Sequence, residues 1–205
     1  LPIAGLFLIT QFEDSIMAGG FRPIQDLSGQ GYTGKVQTFA VDATHATLLA
    51  VGDLVVETGN LEAATGLSEV DAITAGTGNL ITGVIVAIDT NISDLEAKGL
   101  AASTAGTVKV AVDPDMLLEA ETLGGTFALN DVGGNLPVTV TAASATGSLV
   151  NSNMVVNTTG NAASTTEQVR VVGVKDSGDI TFPAAAGTTL IVRINESTIN
   201  GAVGV

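Results

Sequence analysis

From Tyr32 onward the chain alternates short apolar runs with glycine-bearing polar breaks. The runs are "YTGKVQTFAV" (32–41), "ATLLAVGDLVVET" (46–58), "EVDAITA" (69–75), "NLITGVIVAIDT" (79–90), "TVKVAV" (107–112), "MLLEAE" (116–121), "LPVTVTA" (136–142), "NMVVN" (153–157), "EQVRVVGVK" (167–175) and "TTLIVRIN" (188–195). Each has the length of a strand and is rich in Val, Ile or Thr, whose branched side chains suit a pleated sheet. Gly52-Asp53 breaks the second run, and a turn or bulge there lets the strand bend around a barrel corner. Gly83 lies inside a continuous Val and Ile run, which predicts a bulge or a close backbone approach.

One segment carries a helical signature. In "SDLEAKG" (93–99), Ser93 and Glu96 have capping-box spacing and Gly99 is placed to end the turn, so a single connecting turn is expected. The tracts "TAASATGS" (141–148) and "NTTGNAASTTE" (157–167) are too polar and too small to fill a core, and read as loops. The fold class this predicts is all-β and mainly antiparallel: a small β-barrel or β-sandwich with loop-rich insertions and an extended N-terminal arm. The arm covers residues 1–20 and a β-rich domain covers 21–205, with a division into two lobes near 115–135.

Composition sharpens this picture. The 205 residues allow a sizeable core, and 45% are apolar, yet the formal net charge is −14 because 21 acids face 7 Lys and Arg. An aliphatic interior with an acidic surface follows. Binding to nucleic acid or to an anionic membrane runs on neutralising phosphates with cations, so neither is expected as a partner. Cysteine is absent, which excludes disulfides and thiolate chemistry. The opening "LPIAGLFLIT" is apolar but far short of the roughly 20 residues that span a bilayer, and it lacks the basic start of a secretory signal. It reads as an arm lying on a neighbouring subunit, or as upstream sequence, since "MAGGFRPI" from Met17 also makes a plausible start.

Candidate chemistry is sparse. In Asp113-Pro114-Asp115 the proline fixes its own φ and the aspartates can close a turn through side-chain to backbone bonds. A calcium loop wants further oxygen ligands at short, regular spacing, so a turn is the expected reading and a cation site the alternative. His45, the one histidine, follows Asp42 by three residues, but no nucleophile motif accompanies it and a structural role is expected. "NDVGGN" (130–135) and "DTNISD" (89–94) read as solvated turns, and no glycine pattern forms a phosphate loop. No catalytic residue, cofactor or metal ligand is assigned.

Arg170 and Arg193 stand out because each sits in the middle of an apolar strand. Alternation places them on a face with Gln168 and Asn195, where they pair with acids across strands or across a subunit interface, or are ordinary surface arginines. With Leu6, Phe7, Leu8, Phe12, Phe21 and Arg22 from the apolar start, they form the expected set of partner-interface residues.

The order of "GFRPI", "YTGKVQTFAVDATHATLLAVGDLVV", "GNLITGVIVAID", "STAGTVKVAVDPDMLLEAE", "LNDVGGN", "EQVRVVGVKDSGD" and "TTLIVRINES" resembles tailed-bacteriophage head proteins of the cement or decoration type, from about Gly20 to Asn200. The resemblance implies a β-rich, non-catalytic protein on the outer surface of the capsid of a virion. It implies a homotrimer that ties neighbouring major capsid proteins together and stabilises the expanded shell. The apolar start before Met17 departs from that pattern. A secreted β-rich adhesin or surface-layer module binding calcium or glycans is the alternative, and a hydrolase with paired carboxylates is a third reading.

Overall fold

The computed structural model describes residues 19–89, 99–123, 127–146, 149–159, 165–175 and 186–199. The expected connector at 93–99 and the arm residues Leu6, Phe7, Leu8 and Phe12 lie outside them, Gly99 apart. The protein is all-β, as its residue pattern predicts. Strands β2 (Val36–Val41), β3 (Leu54–Leu61), β4 (Ser68–Ala72), β5 (Gly83–Ile88) and β6 (Gly106–Ala111) close a barrel in the order β2-β4-β3-β5-β6. All its pairings are antiparallel except the short parallel contact of β2 with β4 at Ala40 and Glu69.

Alternation along these strands sorts the side chains. Phe39 and Val41 of β2, Val55 of β3, Val70 of β4, Ile85 of β5, and Val108 and Val110 of β6 fill one core, joined by Leu49 and Leu100. Leu49 and Leu100 also exchange backbone hydrogen bonds of 2.9 Å each way. Leu54, Val84 and Ala111, the chain neighbours of Val55, Ile85 and Val110, point the other way, out of the barrel and into a second core. Gly83 makes the close approach its position predicts, because a Cβ there would collide with the backbone oxygen of Ala111. Gly52 has φ +96°, a left-handed conformation open to glycine, and ends the turn before Asp53.

The second core is covered by a larger sheet. Strands β7 (Met116–Leu123), β8 (Asn135–Leu136), β9 (Val138–Thr139), β12 (Val155–Asn157), β13 (Val169–Val174) and β14 (Thr189–Ile194) run in the order β8-β13-β14-β7-β12-β9. Strand β1 (Arg22–Asp26) pairs with the first half of β7, and β12 runs parallel to its end. Pro137, which cannot donate to a ladder, separates β8 from β9. Leu118, Ala120, Leu190, Val192 and Val171 of this sheet pack with the outward residues of the barrel, so the two units share one interior. The chain passes from barrel to sheet between Ala111 and Met116, at the near edge of the interval read as a lobe division. A hairpin of β10 (Ser144–Thr146) and β11 (Leu149–Asn151) occupies part of the small-residue tract expected to be loop.

Asp113-Pro114-Asp115 is the turn at that passage. The Asp113 Oδ1 accepts the Asp115 amide at 3.1 Å, its carbonyl accepts the Met116 amide at 3.2 Å, and its Oδ2 meets Lys35 Nζ at 2.9 Å. Replacing Asp113 with alanine removes the turn-closing bond and is expected to lower stability by about 1 kcal/mol in urea unfolding, with no response to added calcium.

Candidate functional site

Phe21 was expected at a partner interface, but it is 2% exposed and belongs to the shared core. Its amide donates to Gly52 O at 2.9 Å, which draws the ring inward beside the barrel, so its side chain offers no surface to a partner. Arg22 is exposed on β1 opposite Glu119, whose carboxylate is held by Lys175 at 3.2 Å.

Arg170 and Arg193 are brought together. β13 and β14 pair antiparallel with the two arginines in direct register, so each guanidinium has the other as its cross-strand neighbour. The expected pairing with acids across strands is therefore not what the register provides. Like charges directly opposite are unfavourable, and no ion pair among the described residues relieves them. Arg193 Nε is buried without a hydrogen-bond partner. Gln168, expected on the same polar face, is instead fully buried.

The pair lines an open concavity of about 320 Å³ together with Leu27, Val132 and Val172. These three are large apolar side chains with 46%, 36% and 41% of their surface exposed. Leu27 is held there by the hydrogen bond its backbone N–H donates to Asp115 O at 3.0 Å and by the tight loop that follows. In that loop Asp26 Oδ1 accepts the Ser28 hydroxyl and the Ser28 and Gln30 amides at 2.6, 2.9 and 3.1 Å. The Ser28 hydroxyl does most to hold the Asp26 carboxyl below its ordinary range, with the Gln30 and Ser28 amides assisting. Two cations with no ion pair among the described residues, set among exposed aliphatic side chains in a chain of net charge −14, make a surface suited to an acidic, partly apolar protein segment. Sequence alternation found the arginines; it carried no sign that Leu27 and Val132, on separate loops, would flank them.

A polar concavity of about 440 Å³ lies against the barrel, lined by Asp42, His45, Thr58, Asn60, Glu69 and Asp71 among others. His45 is buried, and its Nδ1 lies 2.8 Å from the carbonyl oxygen of Asp42. A carbonyl can only accept, so Nδ1 carries the proton and, in the neutral ring, Nε2 is a bare acceptor with no partner. Among the described residues no three His, Asp or Glu side chains converge closely enough to hold a metal ion. Also among them, no helix is long and apolar enough to cross a membrane.

Comparison with family models, with curated proteins and with solved structures finds no match to this chain.

Proposed function

We propose that this chain is a structural protein of a phage head, which binds the outer capsid surface and cements neighbouring major capsid proteins so that the expanded shell is stabilised. The observation that carries a protein-binding role is the paired Arg170 and Arg193 set among exposed Leu27, Val132 and Val172. Arginine flanked by aliphatic surface is typical of a protein interface, and the unrelieved repulsion of the pair favours any partner that brings carboxylates. The order of sequence segments supports the phage-head assignment. A homotrimer fits the same reading, since several weak contacts made at once gain through effective concentration.

Co-sedimentation with purified expanded capsids tests the proposal. The intact protein is expected to pellet with shells and to raise their melting temperature. The double substitution Arg170→Glu and Arg193→Glu is expected to weaken binding roughly tenfold while leaving far-UV circular dichroism unchanged. Failure of the intact protein to bind shells would sink the capsid reading; full binding by the variant would remove this face from it.

A further inference from the structure

Strand β3 outruns the barrel. Leu54 and Val55 at its start are core, but Glu57 to Leu61 are all exposed, so the β3–β4 hairpin projects as a ribbon, and its register shifts between Glu57 and Leu61. The tip of the ribbon is fastened internally. The Glu62 amide donates to Leu67 O at 2.9 Å and the Gly66 amide to Glu62 O at 2.8 Å, while Glu62 Oε2 accepts the Thr65 amide at 3.0 Å and also the Thr65 hydroxyl. Leu61 stands 65% exposed beside Glu62, and it lines the polar concavity whose wall carries Asp42, Glu69 and Asp71. None of these acids has an ion pair among the described residues. An exposed leucine on a fixed turn, with carboxylates around it, is itself an acidic, partly apolar segment.

We propose that the β3–β4 hairpin of one copy docks in the Arg170 and Arg193 concavity of a second copy. Leu61 lies among Leu27, Val132 and Val172, and the carboxylates around it meet the two guanidinium groups. Shape and charge agree on this occupant. A leucine projects from one surface while exposed aliphatic side chains line a hollow on the other, and acids without ion pairs face arginines without ion pairs. Within one copy the two surfaces do not cover each other, since Leu61, Leu27, Val132 and Val172 all remain exposed, so the contact joins different copies. The internal bonds of the tip mean that little conformational freedom is lost on docking. A contact between two different surfaces of the same chain is head-to-tail, and it closes into a ring or continues as an open chain according to the rotation it imposes. A closed ring is the form that the homotrimer calls for. The inference rests on the protein-binding reading of the arginine face and names its partner. Weaker shell binding by the arginine variant then follows from lost multivalency.

Sedimentation velocity of the full chain tests this without shells, so its failure and that of the capsid reading are seen separately. The parent is expected to sediment as an assembly, with one sharp mass for a ring or a mass that grows with concentration for an open chain. Leu61→Asp, and separately the double substitution Arg170→Glu and Arg193→Glu, are each expected to weaken association roughly tenfold or more with far-UV circular dichroism unchanged. Mixing the two variants in equal amounts gives the sharpest reading. The arginine variant keeps its hairpin and the Leu61 variant keeps its concavity, so the mixture is expected to form a heterodimer and nothing larger. A parent that stays monomeric at every concentration, a Leu61→Asp chain that assembles as the parent does, or a mixture that stays monomeric would overturn the proposal.

Discussion

Replacing Gln168 with leucine is expected to lower the free energy of unfolding by about 3–5 kcal/mol, measured by urea denaturation. The side chain is 0% exposed and makes three hydrogen bonds. Its Oε1 accepts the amides of Gly76 at 3.3 Å and Val138 at 3.1 Å, and its Nε2 donates to Thr74 O at 3.0 Å. Leucine has similar bulk but leaves two buried amides and a carbonyl without partners, at about 1–3 kcal/mol each before relaxation. Those partners lie on the β4–β5 loop of the barrel and on β9 of the sheet, so the substitution also unfastens the two units. A second transition in the unfolding curve, the barrel and the sheet melting apart, is the expected signature. Gln168→Glu keeps an acceptor for the two amides but buries a carboxylate with one oxygen facing the carbonyl of Thr74, and should cost at least as much as the leucine variant at neutral pH. A loss below about 1 kcal/mol for the leucine variant would show that these bonds are replaceable by water.

Asp53→Asn is expected to raise stability at pH 7.5 by about 2 kcal/mol and to give no gain at pH 4. Asp53 is buried, accepts the Ala50 amide at 2.7 Å and lines a cavity with Asp71 and Met154. Its carboxyl is raised from 3.8 to about 6, chiefly by burial. A raised acid pKa means that the folded state holds its proton more tightly than the unfolded chain does. Stability from this group is complete below about 3.8, is lost as pH climbs through about 6, and stays lost above. Asparagine cannot ionise and can still accept the Ala50 amide, so it keeps the low-pH benefit at every pH. The gap between variant and parent should therefore open between about pH 4 and 6. Asp71, on the same cavity wall, is common to both proteins and drops out of the difference. A gap that is constant with pH would mean that Asp53 is solvated in solution.

Much of the fold was legible because strand formation here is local. The Val and Ile runs of β5, β6 and β14 announce themselves, and Asp113-Pro114-Asp115 carries its turn in its own side chains. The β10–β11 hairpin was not legible: β10 is Ser-Ala-Thr, small residues that bring backbone pairing without the bulky pattern that marks a strand, and β11 is only three residues long. Gln168 shares the sequence parity of Arg170, but a loop that bonds it from 92 and 94 residues earlier covers it while Arg170 stays open. The number of residues between Asp53 and the Met154 that shares its cavity is just as large, so the burial that perturbs Asp53 could not be read from the "GDLVV" around it. Phe21 misled for a similar reason. An aromatic next to an apolar terminus looks like arm, and only the arrival of β7 and the barrel turns it into core.

The pairing of β1 with β7 has a kinetic consequence. Asp26 and Met116 are register partners, so the whole barrel is threaded between two neighbouring strands as an insertion. Its five strands come from one contiguous stretch, Val36 to Ala111, and can close as that stretch leaves the ribosome. The enclosing sheet must wait for β14, whose residues Thr189–Ile194 supply the neighbour on the other side of β7. During synthesis, then, a finished barrel is carried with its outward Leu54, Val84 and Ala111 only partly covered until β14 arrives. The interval between those two events is when the nascent chain is most exposed to capture by chaperones or by other copies of itself.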